Sequence, residues 1–83
     1  MPLYMDIHHE VEGLTTEAVV EAHRRDLEVQ EKYGVKYLKY WYDEDTGRVF
    51  CLSEAPSKKA AEAVHREAHG LVADEIVEVQ EGH

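Results

Sequence analysis

From Leu3 to His8 the chain alternates Leu, Met and Ile with Tyr, Asp and His, the period-two pattern of a strand. Gly13 and Thr15 then punctuate it. From about Thr15 to Tyr33 the spacing turns helical: Thr15 or Thr16 is placed to cap the first free amides, and Gly34 suits the left-handed position after the last turn. Val35 to Asp43 is dense in Val, Tyr and Trp and reads as a strand. Glu44 to Gly47 reads as a turn, and Arg48 to Ser53 as the returning strand of a hairpin. Pro56 and Ser57 open a second helix through about His69, Gly70 closes it, and Ala73 to Val79 supplies a last strand.

Strand, helix, strand, strand, helix, strand is the split βαβ pattern of the α+β ferredoxin-like sandwich, in which one antiparallel sheet carries both helices on a single face. No repeat, linker or low-complexity tract divides residues 1–83, so one domain is expected. In the second strand Val35, Tyr37 and Trp41 are expected to point one way and Leu38, Tyr40 and Tyr42 the other, so large apolar bodies fall on both sides. Helices cover only one face. A homodimer with sheet against sheet, a dimeric α/β-barrel-type assembly, is therefore expected.

Charge narrows the partners. Nine Lys and Arg against eighteen Asp and Glu give a net charge of −9, a field that repels phosphate backbones and anionic lipid. Neither nucleic acid nor a membrane is expected as a partner. No apolar run is long enough to span a bilayer and no signal peptide opens the chain, so a cytoplasmic protein is expected. The lone Cys51 makes no intramolecular disulfide and no multi-cysteine metal knuckle. Tyr37, Tyr40, Trp41 and Tyr42 lack the basic groove of a base-stacking platform, and Asp43 to Glu54 carries Arg48 where a calcium loop needs its glycine and lies between strands, not helices.

Six histidines in 83 residues are the chemical anomaly. On the second helix, Ala60, Ala61, Val64, Ala68 and Leu71 form one stripe, which leaves Glu62, His65, Arg66 and His69 opposite it, facing solvent. His65 and His69 are four apart, one helical turn, a spacing that chelates a borderline divalent ion, with Glu62 a candidate third ligand. The metalloprotease signature is absent, because Arg66 follows the first histidine where a glutamate is required. On the first helix the expected buried arc of Val19, Ala22, Leu27 and Tyr33 also contains His23, Asp26 and Gln30. An Asp26 carboxylate orienting His23 is a second candidate metal site, and a satisfied buried network is the alternative.

The first strand carries a rival. Leu3, Met5 and Ile7 make the better helix-facing set, so Tyr4, Asp6 and His8 are expected to face the dimer partner. With Cys51 on that face, the space between sheets becomes a polar pocket for acid–base chemistry on a small molecule; the alternatives are Asp6 paired with Lys36 or Lys39, and Cys51 as a buried hydrophobe.

Taken in order, Pro2-Leu3-Tyr4-Met5-Asp6, His23 through Asp26-Leu27 to Gln30, Tyr33-Gly34-Val35, Tyr40-Trp41, Phe50-Cys51-Leu52, Ala55-Pro56-Ser57 and His65-Arg66-Glu67-Ala68-His69-Gly70 resemble the small DUF4242 proteins. Some of these are described as nickel-binding ferredoxin-like proteins of actinobacteria. The resemblance implies a dimer of ferredoxin-like subunits that binds Ni2+ without an established reaction. It favours metal binding over the pocket, and Zn2+ or Cu2+ are expected to compete for such a site in vitro. The metal-ligand candidates His65, His69, Glu62, His23 and Asp26 rest on spacing, not on the resemblance.

Overall fold

The computed structural model describes residues 1–82; His83, which the sequence leaves in the terminal tail, lies outside the described residues. Its elements are β1 (Leu3–His8), α1 (Thr16–Val29) continued by a 3-10 turn (Gln30–Tyr33), β2 (Lys36–Asp43), β3 (Arg48–Glu54), α2 (Lys58–Ala68) and β4 (Glu75–Val79). The strands form one antiparallel sheet in the order β2-β3-β1-β4. The expected ferredoxin-like βαββαβ architecture is present.

Local chemistry sets the helix ends. Thr15 Oγ1 accepts from the Ala18 amide at 3.1 Å and Ser57 Oγ from the Ala60 amide at 3.2 Å, each satisfying one of the amides a helix start leaves free. Gly34 takes φ 68° after the 3-10 turn. Gly70, at φ 79°, gives its amide to the His65 carbonyl at 2.9 Å and so fixes the last turn of α2, where two histidines sit. In the hairpin turn Gly47, at φ 76°, leaves 3.1 Å between an added Cβ and the Val11 amide nitrogen, so the loop after β1 packs there only against glycine.

Tyr4, Val35, Tyr37, Val49, Cys51, Ala55, Ala61 and Val64 form the core between the sheet and the helices. A bulge at Leu38 decides which aromatics join it. Tyr37 pairs with Ser53, but Lys39 already pairs with Leu52, so one extra residue shifts the strand's alternation. Tyr37, Tyr40 and Tyr42 consequently share the helix-facing side with Ser53, Cys51 and Val49, while Trp41 lies beside Phe50 on the other. The expectation that Tyr37 and Trp41 share a face is corrected by that bulge, which no period-two reading anticipates.

The first strand also turns over. Tyr4, Asp6 and His8 are buried under the helices, whereas Leu3, Met5 and Ile7 lie on the open face of the sheet with Phe50 and Leu52. Leu27, expected inside, is exposed on α1.

Candidate metal centre

Where the two helices meet the sheet, the interior is polar. Asp6 of β1, Asp26 of α1 and His65 of α2 are 0 %, 2 % and 1 % exposed. His65 lies between the two carboxylates, its Nδ1 2.9 Å from Asp26 Oδ1 and its Nε2 2.7 Å from Asp6 Oδ2. The Tyr37 hydroxyl donates to Asp6 Oδ2 at 2.8 Å. His69, one turn after His65, brings Nε2 to 3.0 Å from Asp26 Oδ1, and its Nδ1 accepts from the Leu71 amide at 3.1 Å. That acceptor role puts the His69 proton on Nε2, facing the carboxylate.

Burial alone would push the His65 imidazole down, but bonds to Asp26 and Asp6, with Cys51 as a third partner, outweigh it and hold its pKa up at about 11. His65 is an imidazolium in the resting protein. Burial also opposes ionisation of Asp26, yet the bonds from His65 and His69 keep its carboxyl below the ordinary range. The Tyr37 phenol is raised by burial and by the Asp6 charge, so it stays a donor. His8 and His23 are both lowered, chiefly by burial, and are neutral imidazoles. Burial raises the Cys51 thiol, and the bond from His65 only partly offsets this.

Two groups of donors result, each with ligand atoms within 4.8 Å of one another: Asp26, His65 and His69, and His8, Cys51 and His65. They share His65, so they are two sides of one cluster. A half-open cavity of about 70 Å³ adjoins it, lined at its polar end by His8, His23, Asp26, Cys51, His65 and His69. Among the described residues, Asp6 Oδ1 and His23 Nδ1 are buried without a hydrogen-bond partner. Neutral imidazoles, a carboxylate, a thiol and unpaired polar atoms in one place fit a borderline divalent cation.

The structure thus merges what the sequence kept apart. His65 and His69 do come together with Asp26, but inside the protein and not on its surface. The buried arc of α2 runs through Ala61, Val64 and His65, turned toward His65 by about half of the ~100° step between residues. Glu62 is not in the cluster; it accepts from Arg66 at 2.6 Å on the outer side of the helix. Asp26 orients His65 and His69, not His23, whose ring stacks on Tyr40 with centroids 4.5 Å apart. Gln30 finds a backbone partner, accepting from the Tyr37 amide at 2.9 Å. Asp6, His8 and Cys51 meet beneath the helices instead of between two sheets, and Tyr4 packs in the core beside them. Asp6 pairs with His65 and Tyr37, because Lys36 and Lys39 stand on the opposite face.

Comparison with known proteins gives a family and a matching fold. Residues 4–79 match the family described as nickel responsive protein SCO4226-like. The crystal structure of SCO4226 from Streptomyces coelicolor A3(2) superposes with a TM-score of 0.90 at 38% identity, over 98% of this chain and 99% of that one. None of the curated proteins matches.

Proposed function

The chain belongs to the SCO4226-like family of nickel-responsive proteins, and from that premise we propose that it binds Ni2+ in the interior cluster, with Asp26, His65 and His69 as ligands. The observation that carries the proposal is the convergence of these three donor atoms, from two helices, within 4.8 Å. His23 lines the same cavity, outside that group of three. His8 and Cys51, across the His65 ring, offer the cluster an imidazole and a thiol on its other side. A bound divalent ion would supply positive charge in place of the His65 proton. The chain's own residues hold that charge: Asp6 and Asp26 neutralise it, and the Leu71 amide and Gly70 turn fix His69 in register. Cu2+ should bind the same donors more tightly and Zn2+ should compete, by the usual order of divalent ions. The free, buried Cys51 thiol suits a reducing compartment, which supports a cytoplasmic setting.

The test is a nickel titration by calorimetry on tag-free protein at pH 7.5. Saturable binding is expected, weakened on the order of a hundredfold in His69→Ala. His69 sits at the end of α2, so this variant should keep its fold, as circular dichroism would show. Unchanged nickel affinity in both His69→Ala and Cys51→Ser would remove the assignment. The rival reading, acid–base chemistry with Tyr4, Asp6, His8 and Cys51, keeps their shared cavity-side face but loses the two-sheet pocket it was built on.

We also propose that a second copy covers the open face of the sheet. Support comes from Trp41, 48 % exposed, which continues an apolar surface of Leu3, Met5, Ile7, Phe50 and Leu52 that no helix covers. Charge fits a two-fold pairing as well: Lys36 and Lys39 mark the β2 edge of this face and Glu75 the β4 edge. Light scattering should give twice the 9.6 kDa chain mass, and Trp41→Glu should give the monomer with its secondary structure unchanged. A wild-type monomer at tens of micromolar would exclude this interface.

A further inference from the structure

The cluster is open on one side. Its cavity runs from Asp26 and His69 between apolar walls made by Leu14, Ala18, Ala22 and Leu71, and two of these, Ala18 and Leu71, are exposed. A volume of about 70 Å³ exceeds what one water needs, roughly 10–15 Å³ on this measure. A passage that served only to admit an ion would need no such apolar lining.

Ligand number points the same way. Structural sites close around their ion with four protein ligands, whereas three protein ligands leave a position for something else. Two imidazoles and one carboxylate, as in His65, His69 and Asp26, are an arrangement that keeps positions open. Charge then selects what enters. A divalent ion between the Asp6 and Asp26 carboxylates is already neutralised, so an anion would add a net negative charge inside a chain of net charge −9. His23, with its Nδ1 buried and unpaired, stands on the cavity wall with a ring nitrogen left to make one hydrogen bond.

We infer that the cavity is a binding site for a second, exogenous ligand: a small neutral molecule with one nitrogen or oxygen donor directed at the metal and a short apolar body against Ala22 and Leu71. The inference rests on the nickel reading above. It makes the protein a receptor for a metal-bound small molecule, not merely a store for the ion.

Pyridine, neutral at pH 8, is the probe, with azide as the anionic comparison. Both are titrated into nickel-loaded, tag-free protein while the visible ligand-field bands and the heat are followed, and nickel content is measured after desalting. The expected result is a saturable band shift with pyridine, no pyridine binding to the metal-free protein, azide at least about tenfold weaker, and nickel retained. Ala18→Phe, which fills part of the cavity from its α1 wall and is remote from the residues that hold the metal donors, should weaken pyridine about tenfold and leave nickel affinity unchanged. Nickel binding without any pyridine response, an equal response in Ala18→Phe, tighter azide than pyridine, or loss of nickel to pyridine would each overturn the inference and leave the nickel site standing. Failure of nickel itself to bind overturns both readings and is read separately in the metal titration.

Discussion

Exchanging His65 for alanine is expected to lower the unfolding free energy of the metal-free protein by about 3–5 kcal/mol, the range seen when one partner of a buried ion pair is removed. Three effects add. The imidazolium that neutralises Asp6 and Asp26 is gone, leaving two carboxylates facing each other at 0 % and 2 % exposure. A buried ring is deleted next to Ala61 and Val64, which leaves space that the surrounding strands only partly close. Tyr37 and His69 keep their bonds to the carboxylates, but neither replaces the central charge. The electrostatic effect should dominate, because a domain of this size has only about 5–15 kcal/mol of total stability and cannot carry two uncompensated charges inside. The carboxylates would instead take up protons, so the variant should lose less at pH 5 than at pH 7. Adding Asp6→Asn and Asp26→Asn to His65→Ala should restore part of the loss, since the three groups act as a unit. Urea unfolding of the three proteins measures this, and a loss below about 1 kcal/mol for His65→Ala would mean that no charged pair exists there.

The second large effect lies on the alkaline side. An unfolded histidine titrates near the model value of 6.5, whereas folded His65 holds its proton up to about 11. Below pH 6.5 both states are protonated and the stabilisation from this group is whole. Between 6.5 and about 11 only the folded state keeps the proton, so each step up in pH removes stability, by at most about 1.4 kcal/mol per unit for one proton; above that window the contribution is gone. Asp26 works in the other direction, with a lowered folded pKa, so its contribution is present above the ordinary carboxyl range and fades as acid protonates it. From these two groups, metal-free protein should be most stable between the ordinary carboxyl range and pH 6.5, and should lose stability above it well before its lysines and tyrosines titrate. Imidazole nitrogen chemical shifts followed with pH give the direct reading. A His65 ring that titrates between pH 6 and 7 would contradict the charged network.

Much of this architecture is written locally. The alternation of Leu3 to His8, the threonine and serine caps, the glycines after each helix and the turn at Gly47 locate every element to within a residue or two, because each rests on short-range sterics and hydrogen bonding. The fold follows from the order of those elements, and the family resemblance from the residues within them. The sequence also held part of the signal of the site: His23 and Asp26 interrupt the apolar arc of α1, while Asp6 and His8 fall on the polar side of β1 and His65 on the polar side of α2. Taken one element at a time, each polar group is assigned to solvent or to a partner, since burying it alone is unfavourable.

Only the tertiary structure could reverse that assignment. Asp6, Asp26 and His65 become buried together because each removes the cost of burying the others, and that compensation acts across 39 residues of chain between Asp26 and His65. Glu62 and Arg66, equally polar and on the same helix, stay outside because they neutralise each other there. The bulge at Leu38 is the other such decision, since one extra residue in the pairing of β2 with β3 turns three tyrosines toward the helices and Trp41 away. Period and propensity determine the elements, therefore, while long-range pairing of charge and strand register determines which faces meet and what chemistry lies between them.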